Sequence, residues 1–183
     1  MRLYRQTVED FGLYTGMELS QEEFDRLQVA AGEMSAKMRA VRIISASSVS
    51  KNDLQRRLIQ KGEDPQQAKN AVQWMSDLAL IDDRKTAEQV VARCVSKGYG
   101  LARAKQALYE KRIPKGYWDE ALADYPDQIS AIEDFLTAKL SKDSDEKQIR
   151  RAIDALVRKG HSYGNIRRAL DRLSFDTDEL PED

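Results

Sequence analysis

Residues 80–113, LIDDRKTAEQVVARCVSKGYGLARAKQALYEKRI, hold the pattern that decides the fold. After Asp82 and Asp83, either of which is suited to cap a helix, apolar side chains recur at helical spacing, at Ala87, Val90, Val91 and Cys94. The same spacing returns further along, at Leu101, Ala104 and Leu108. The stretch therefore predicts two short amphipathic helices, joined by the glycine-containing connection at residues 97–100.

The second of these helices recurs on both sides of the stretch. Leu58, Leu108 and Leu156 stand in the segments LIQKG, LYEKR and LVRKG, which are separated by 50 and 48 residues. With those offsets, four downstream columns also coincide, with the spacing 0, 3, 4, 7 of a helical stripe: 68/118/166, 71/121/169, 72/122/170 and 75/125/173. A period of this size indicates tandem helical units that bury equivalent faces.

The helix ends and a third helix complete each unit. Gly62 and Gly160 stand just past a helix end, where a left-handed backbone favours glycine, while Arg112 takes that place in the middle unit and Pro114 follows it. The face of the helix after Asp83 reappears fifty residues earlier, and in shifted form 44 residues later, at Ala40, Val41, Ile44, Ala131 and Phe135.

We therefore predict an all-α protein, an elongated array of three tandem three-helix, helix-turn-helix-like repeats behind a short N-terminal extension. Helices are expected near 21–31, 34–47, 51–61, 66–80, 83–97, 101–112, 115–124, 127–141, 146–159 and 163–173. The predicted domains are the extension with one helix (1–33), repeat 1 with flanking helices (34–97), repeat 2 (98–142), repeat 3 (143–173) and a frayed acidic tail (174–183). Gly12 and Gly16 indicate a turn or a short extended piece rather than a helix.

The charge of the chain is balanced overall but uneven locally. The chain has 30 Lys and Arg and 31 Asp and Glu, so its composition alone does not indicate a nucleic-acid-binding protein. Residues 146–172, however, hold eight basic and three acidic side chains, and residues 101–112 hold four basic and one acidic. Residues 174–183 hold five acidic side chains and no basic one. Any contact with a polyanion must therefore come from the local basic stretches.

The candidate binding residues for a partner or for DNA are basic side chains on the predicted helices. They are Arg56, Arg57, Arg103, Lys105, Lys111, Arg150, Arg151, Arg158, Lys159, Arg167 and Arg168. For any single arginine pair, the alternative is a solvated helix face with no further role. Recurrence of basic side chains in the first helix of every unit favours a binding surface, provided that the units stack regularly.

No catalytic, metal or cofactor site is predicted. Cys94 lies on an apolar helix face without a nearby histidine, which favours a buried inert thiol. His161 lies in a turn between helices, and one histidine with one cysteine does not make a zinc site. Lys97-Gly98-Tyr99-Gly100 lacks the spacing of a phosphate loop. Trp74 and Trp118 lie on helical stripes and are expected in the core. We therefore expect a non-enzymatic protein that needs no cofactor.

The single cysteine and the start of the chain indicate an intracellular, cytoplasmic protein. Residues 1–6 do not lead into the apolar stretch of a secretory signal. The most apolar region, residues 40–46, is interrupted by Arg42 and is far shorter than the roughly 20 residues of a membrane span. We expect no membrane contact and a monomeric chain.

At residues 80–113 the chain resembles the RecX family of bacterial regulators of the recombinase RecA. The family motif begins with an apolar residue before two acidic helix caps, followed one turn later by an alanine. An arginine, a Lys-Gly pair and a leucine-rich helix come after it. In this chain the positions from the acidic caps onward are occupied by Asp82, Asp83, Ala87, Arg93, Lys97, Gly98, Leu101 and Leu108. The upstream segment SVSKNDLQRRLIQKG is also similar, and the resemblance covers residues 38–173. Two departures are Thr86, where an aromatic residue is usual, and Arg112, where glycine is usual.

The resemblance implies a regulator that binds the RecA nucleoprotein filament along its groove and suppresses recombinase and coprotease activity. It also implies a role in homologous recombination, DNA repair and the SOS response. An array of repeats is suited to this, because it can contact successive protomers of a polymer. Two alternatives stay open: a DNA-binding repeat protein that acts directly on single- or double-stranded nucleic acid, and a helical adaptor for another protein.

Overall fold

The computed structural model describes residues 3–141 and 143–175, and over these residues the chain is all-helical, with no β-strand. The described part holds ten α-helices and one 3₁₀ turn, Lys115–Tyr117. The helices are α1 Arg5–Asp10, α2 Gln21–Ala46, α3 Lys51–Gln60, α4 Pro65–Asp77, α5 Asp83–Ser96, α6 Leu101–Glu110, α7 Trp118–Leu122, α8 Gln128–Lys139, α9 Glu146–Arg158 and α10 Tyr163–Arg172. The predicted all-α class is confirmed.

The predicted helix boundaries were wrong in three places. α2 is continuous through Gly32, where a break was predicted, because a glycine within a helix costs only about 1 kcal/mol. A Cβ at Gly32 would overlap only the end of the flexible Gln67 side chain, which can move aside. The helix predicted over 115–124 is a 3₁₀ turn followed by the five-residue α7. The six-residue α1 was not predicted, since fewer than two turns show little periodicity.

The contacts divide the chain into two compact units, Met1–Thr86 and Ala87–Asp183. In the first unit α2, α3 and α4 pack on one another. Their core contains Leu54 and Leu58 of α3 with four residues of the repeating α4 stripe, Ala68, Ala71, Val72 and Met75. The columns read from the sequence are therefore buried as predicted in this unit.

The second unit holds two apolar clusters. One joins Leu108 of α6 to Ala87 and Val91 of α5 and to Ile113, with Trp118 packed against it. The other joins Leu156 of α9 to residues of α8 and α10, namely Ile132, Leu136, Ile166, Ala169 and Leu170. Leu58, Leu108 and Leu156 are each 0% exposed. Superposition of the three repeats, their elongated stacking and the bounds of the five predicted segments stay predictions.

The turns after the leucine-bearing helices have the left-handed backbone that the sequence indicates. Gly62 and Gly160 have φ of +89° and +87°, and Arg112 adopts +54° in the equivalent place. Thr86, the other departure from the family pattern, is buried, and its hydroxyl donates to the Asp82 carbonyl at 2.8 Å. Gly12 and Gly16 also have positive φ, as expected of a turn. Of the predicted acidic tail, residues 176–183 lie outside the described residues.

Candidate partner-binding surface

Arg56 and Arg57 form ion pairs with a buried carboxylate. Their guanidinium groups lie 2.9 and 2.8 Å from Asp53 on the same helix, α3, and the Asp53 side chain is 2% exposed. Burial raises the pKa of Asp53, but hydrogen bonds from Arg56 and Arg57 and their positive charges outweigh it, so that the pKa lies below its usual value. Both arginines therefore have a structural role in the first unit, whatever else they bind.

A second buried carboxylate in the first unit was missed from the sequence. Glu63 accepts a hydrogen bond from the Ser35 hydroxyl and lies 2.7 Å from the guanidinium of Arg39, which also donates to the Lys61 carbonyl at 2.7 Å. Arg39 thereby links α2 to the C-terminal end of α3, where a cation is favourable to the helix dipole. In the sequence Arg39 and Glu63 are single charged residues 24 positions apart, and no spacing rule relates them. The sequence therefore held no signal that could have identified this network.

In the second unit, the start of α6 lies against the end of α9. Gly100 donates its N–H to the Lys159 carbonyl at 2.8 Å, and His161 Nε2 lies 3.2 Å from the Gly98 carbonyl. A Cβ on Gly100 would overlap the carbonyl of Gly160. This contact sets the positive end of one helix dipole against the negative end of another, which is favourable. We call residues 98–100 with 159–161 the glycine junction.

The glycine junction brings basic residues of two predicted repeats together. A Cβ on Gly160 would lie 2.5 Å from both the Cβ and the backbone N of Arg103, so the start of α6 lies directly on the turn that follows Arg158 and Lys159. The Arg103 guanidinium lies 3.5 Å from the carboxylate of Glu110. The Lys159 ammonium lies over the Phe135 ring, 4.7 Å from its centroid. Arg103 and Lys159 are thus neighbours in space, as a binding surface across repeats requires.

His161, which the sequence placed in a turn, is buried in the glycine junction at 6% exposure. Burial lowers the pKa of His161, the hydrogen bond to the Gly98 carbonyl raises it, and the charge of Lys159 lowers it further; the net pKa lies below the usual value. The imidazole is therefore mostly neutral at pH 7 and donates its Nε2–H to the Gly98 carbonyl, while Nδ1 is buried without a hydrogen-bond partner among the described residues.

The remaining candidates are surface residues of the second unit. Lys105 is exposed on α6, Lys111 is half-buried at its end, and Arg150 lies 3.2 Å from Glu146 one turn earlier on α9. Four arginines form no ion pair with any described carboxylate, and we call them the basic set: Arg151, Arg158, Arg167 and Arg168. Arg167 is half-buried and the other three are exposed.

The basic set lies away from the apolar core of its unit. Arg151 and Arg158 are two helical turns apart, on the side of α9 opposite to Ile153 and Leu156. Arg168 is similarly opposite to Ile166 and Leu170 on α10. Cationic side chains that lie on two helices and form no ion pair with a carboxylate among the described residues are suited to bind phosphates or acidic side chains of a partner.

The residues that could have suggested other chemistry are structural. Cys94 is buried and unpaired, and burial raises the pKa of its thiol, as expected for an inert cysteine. Trp118 donates its indole N–H to the Ile113 carbonyl at 3.0 Å, and Trp74 packs against the first core beneath Lys37. In residues 3–141 and 143–175 no three His, Cys, Asp or Glu side chains are grouped so as to hold a metal ion. No helix of the same ranges is long and apolar enough to cross a membrane.

Comparison with known proteins finds regulatory proteins RecX of several bacteria among the relatives. A regulatory protein RecX of Vibrio campbellii is 27% identical over 150 residues, which cover 80% of this chain and 96% of the relative. A regulatory protein RecX of Clostridioides difficile is 26% identical over 181 residues, 95% of this chain and 85% of the relative. No protein-family model matches the chain.

Solved structures agree in fold. A crystal structure of a regulatory protein RecX has a TM-score of 0.70 at 18% identity and covers 92% of this chain and 86% of its own. The structure of RecX from Lactobacillus salivarius has a TM-score of 0.64 at 22% identity, covering 79% of this chain and 97% of its own. The sequence relatives and the motif at residues 80–113 support the RecX family of regulatory proteins, and the solved structures show that the helical fold is shared.

Proposed function

We propose that the chain binds the RecA nucleoprotein filament and inhibits its recombinase and coprotease activities, without an enzymatic activity of its own. The observation that carries the proposal is similarity to regulatory RecX proteins over almost their whole length, 96% for the Vibrio campbellii relative. The family resemblance implies the filament as partner. We place this activity in the cytoplasm, in DNA repair and the SOS response, with the chain acting as a monomer.

The surface of the second unit supports this proposal physically. The glycine junction places Arg103 of α6 beside the end of α9, so that basic residues of repeats 2 and 3 adjoin. A filament of repeating protomers on DNA offers phosphates and acidic side chains at regular intervals. Several weak ionic contacts to such a polymer add up through multivalency, and no deep pocket is needed.

The direct test measures the recombinase. Stoichiometric amounts of the chain should slow DNA-dependent ATP hydrolysis by RecA filaments and reduce strand exchange and coprotease cleavage. ATP hydrolysis by the chain alone should stay at the background of a buffer control. Recombinase rates that are unchanged at a several-fold molar excess of the chain would contradict the proposal.

Direct binding to nucleic acid is the second candidate, and the basic set favours it. Four arginines without a described carboxylate partner are what phosphate contacts require. The discriminating experiment compares naked single- and double-stranded DNA with RecA-coated DNA at the same salt concentration. Equal affinity for bare and coated DNA would favour this candidate, whereas preference for coated DNA favours the filament.

A further inference from the structure

Tyr109 on α6 is an aromatic side chain that the packing of its unit does not use. Its side chain is 67% exposed. Elsewhere in the second unit, Tyr125 donates its hydroxyl to the Tyr99 carbonyl at 2.7 Å. Among the residues that the structure describes, the Tyr109 hydroxyl has no hydrogen bond and its ring meets no cation or second ring. Packing therefore does not account for an aromatic residue at this position.

Cationic side chains flank the Tyr109 ring on the same surface. Lys105 lies one helical turn before Tyr109, a spacing that places both on one face of α6, and both are exposed. Arg112 is exposed as well, and its backbone N–H donates to the Tyr109 carbonyl at 2.8 Å. Residues 101–117 contain five basic side chains and one acidic, Glu110, whose carboxylate already lies 3.5 Å from the Arg103 guanidinium. The ring is therefore exposed within a positively charged stretch.

The backbone at Arg112 differs from the equivalent turns of the other two repeats. Arg112 adopts φ of +54° in a turn that is anchored by the buried Ile113, whereas Gly62 and Gly160 occupy the equivalent places in the sequence. A side chain in the left-handed region is disfavoured relative to glycine, because its Cβ crowds the backbone. Repeat 2 accepts this cost, and the result is an exposed cation next to Tyr109.

An exposed aromatic ring between cations has the chemistry that binds an unpaired nucleotide. A base can stack on the ring face, while Lys105 and Arg112, one turn before and one turn after, can bind the flanking phosphates. In a duplex the neighbouring base pairs cover the base faces, so a ring on a helix surface can stack only on a single strand. An acidic protein surface would pair with the cations but would leave the aromatic ring unexplained.

We propose that Tyr109 is a stacking platform for an unpaired base of single-stranded DNA, with Lys105 and Arg112 binding the phosphates on either side. The inference goes beyond the proposed function, because it assigns a contact to bare DNA on α6, apart from the basic set on α9 and α10. It rests on the proposed function only for the choice of DNA over RNA, since the filament is assembled on DNA. The ring gives the chain a preference for single-stranded over double-stranded DNA, which phosphate contacts alone do not give.

The contact is tested by photo-cross-linking the full chain to an oligothymidylate in which one thymine is replaced by 5-iodouracil. Irradiation joins this base to an aromatic side chain that lies against it. Digestion with trypsin then releases residues 106–111, whose aromatic residue is Tyr109. The adduct should lie on that peptide, and Tyr109→Ser should remove it. Absence of an adduct from that peptide, or an adduct there that survives the substitution, overturns the proposal.

The contribution of stacking to affinity is measured by fluorescence anisotropy with a fluorescein-labelled oligothymidylate over a salt series. Tyr109→Ser should weaken binding about tenfold at every salt concentration, because stacking releases no counterions. Tyr109→Phe keeps the ring face and should bind like the parent. The matched control is Tyr14→Ser, which should also bind like the parent. Tyr14 is 71% exposed, and residues 6–20 around it contain three acidic side chains and no basic one.

The phosphate contacts are tested in the same assay with Lys105→Gln and Arg112→Gly. Each should lower the slope of log affinity against log salt by about 0.7, the value for one phosphate of a single strand. The same oligothymidylate annealed to oligoadenylate should bind the parent and Tyr109→Ser equally. Equal losses for duplex and single strand, or a Tyr109→Ser variant that binds like Tyr14→Ser, overturns the stacking platform.

These measurements do not contain the recombinase, so failure of the stacking platform leaves filament binding untouched. Failure of the filament assay in a chain whose Tyr109 contact is demonstrated would instead overturn the proposed function alone.

Discussion

Asp53 and Arg57 form an ion pair of 2.8 Å in which the carboxylate is buried and the guanidinium is one-third exposed. Arg56 completes the pair from the other side at 2.9 Å. A buried carboxylate held by two partly solvated arginines stabilises the fold only while all the groups are present, because removal of one partner leaves an uncompensated polar group.

Asp53→Asn should therefore lower the free energy of unfolding by about 2–3 kcal/mol, since the amide cannot bind both guanidinium groups as an anion does. Urea unfolding measures the loss. The matched control is Asp134→Asn at an exposed position of α8, which should stay within about 0.5 kcal/mol of the parent. Equal stability of the two variants would show that the buried ion pair contributes nothing.

The same residue predicts acid sensitivity. The pKa of Asp53 lies below its ordinary value of 3.8, so its contribution to stability is present above about pH 4 and is lost as the pH falls through the folded-state pKa. Unfolding free energies measured from pH 6 to pH 2 should fall less steeply in Asp53→Asn than in the parent. Parallel curves would contradict this assignment.

Leu58, Leu108 and Leu156 are predicted to contribute comparable amounts to the free energy of unfolding. Leu58→Ala, Leu108→Ala and Leu156→Ala should each cost about 2–5 kcal/mol, because each removes a fully buried side chain and leaves a cavity. Ile59→Ala, one residue beyond Leu58 and 40% exposed, should cost less than about 1 kcal/mol. Thermal melts of the four variants distinguish core positions from the surface position. A leucine variant that melts like the parent would show that this leucine does not contribute to the core.

The glycine junction predicts a strong positional effect. Gly100→Ala should destabilise the second unit by about 1–3 kcal/mol, because its Cβ overlaps the Gly160 carbonyl. Gly116→Ala is the control, since nothing lies within 4 Å of a Cβ there and φ is not positive. That control should be neutral or slightly stabilising. Equal melting temperatures for the two variants would show that the glycine junction accommodates a Cβ at residue 100 without loss of stability.

His161 predicts a second pH dependence, near neutrality. Because its folded pKa lies below the ordinary 6.5, its contribution is fully present above that pH and is lost as the pH falls through the folded-state value. His161→Gln keeps a donor for the Gly98 carbonyl and cannot titrate. Melting temperatures between pH 7.5 and pH 5 should therefore fall more in the parent than in the variant, and a larger fall in the variant would reverse the assignment.

Local periodicity predicted most of this fold because each unit is short and its apolar stripes repeat. The stripe from Ala68 to Met75 and the leucine columns are buried as the spacing requires. Periodicity says nothing about what passes beside a glycine, so the continuity of α2 at Gly32 was missed. There the side chain of Gln67, 35 positions further along, fills the space that a Cβ would occupy.

Charged residues were the harder part. Arg56 and Arg57 have the same appearance in the sequence as Arg167 and Arg168, yet the first pair holds a buried carboxylate and the second pair binds no described one. The spacing of Asp53 to Arg56 and Arg57, three and four residues along one helix, is visible in the sequence. Whether such a carboxylate is buried, or whether a charge meets a partner on another element, depends on how the helices pack, and this is tertiary information. Arg39 and Glu63 escaped notice for the same reason.

Binding of the basic set to the RecA filament is measured directly by co-sedimentation with filaments on single-stranded DNA over a salt series. The variant changes Arg151, Arg158, Arg167 and Arg168 to Gln, and a control removes equal charge at exposed Lys85, Arg93, Lys115 and Lys139. Both should melt close to the parent, because surface charges contribute about 0–1 kcal/mol each and half-buried Arg167 forms no ion pair with a described carboxylate. We predict that the control binds like the parent, and that the variant loses most binding at low salt and shows a shallower dependence on salt. A variant that melts and binds like the control at every salt concentration would contradict the account.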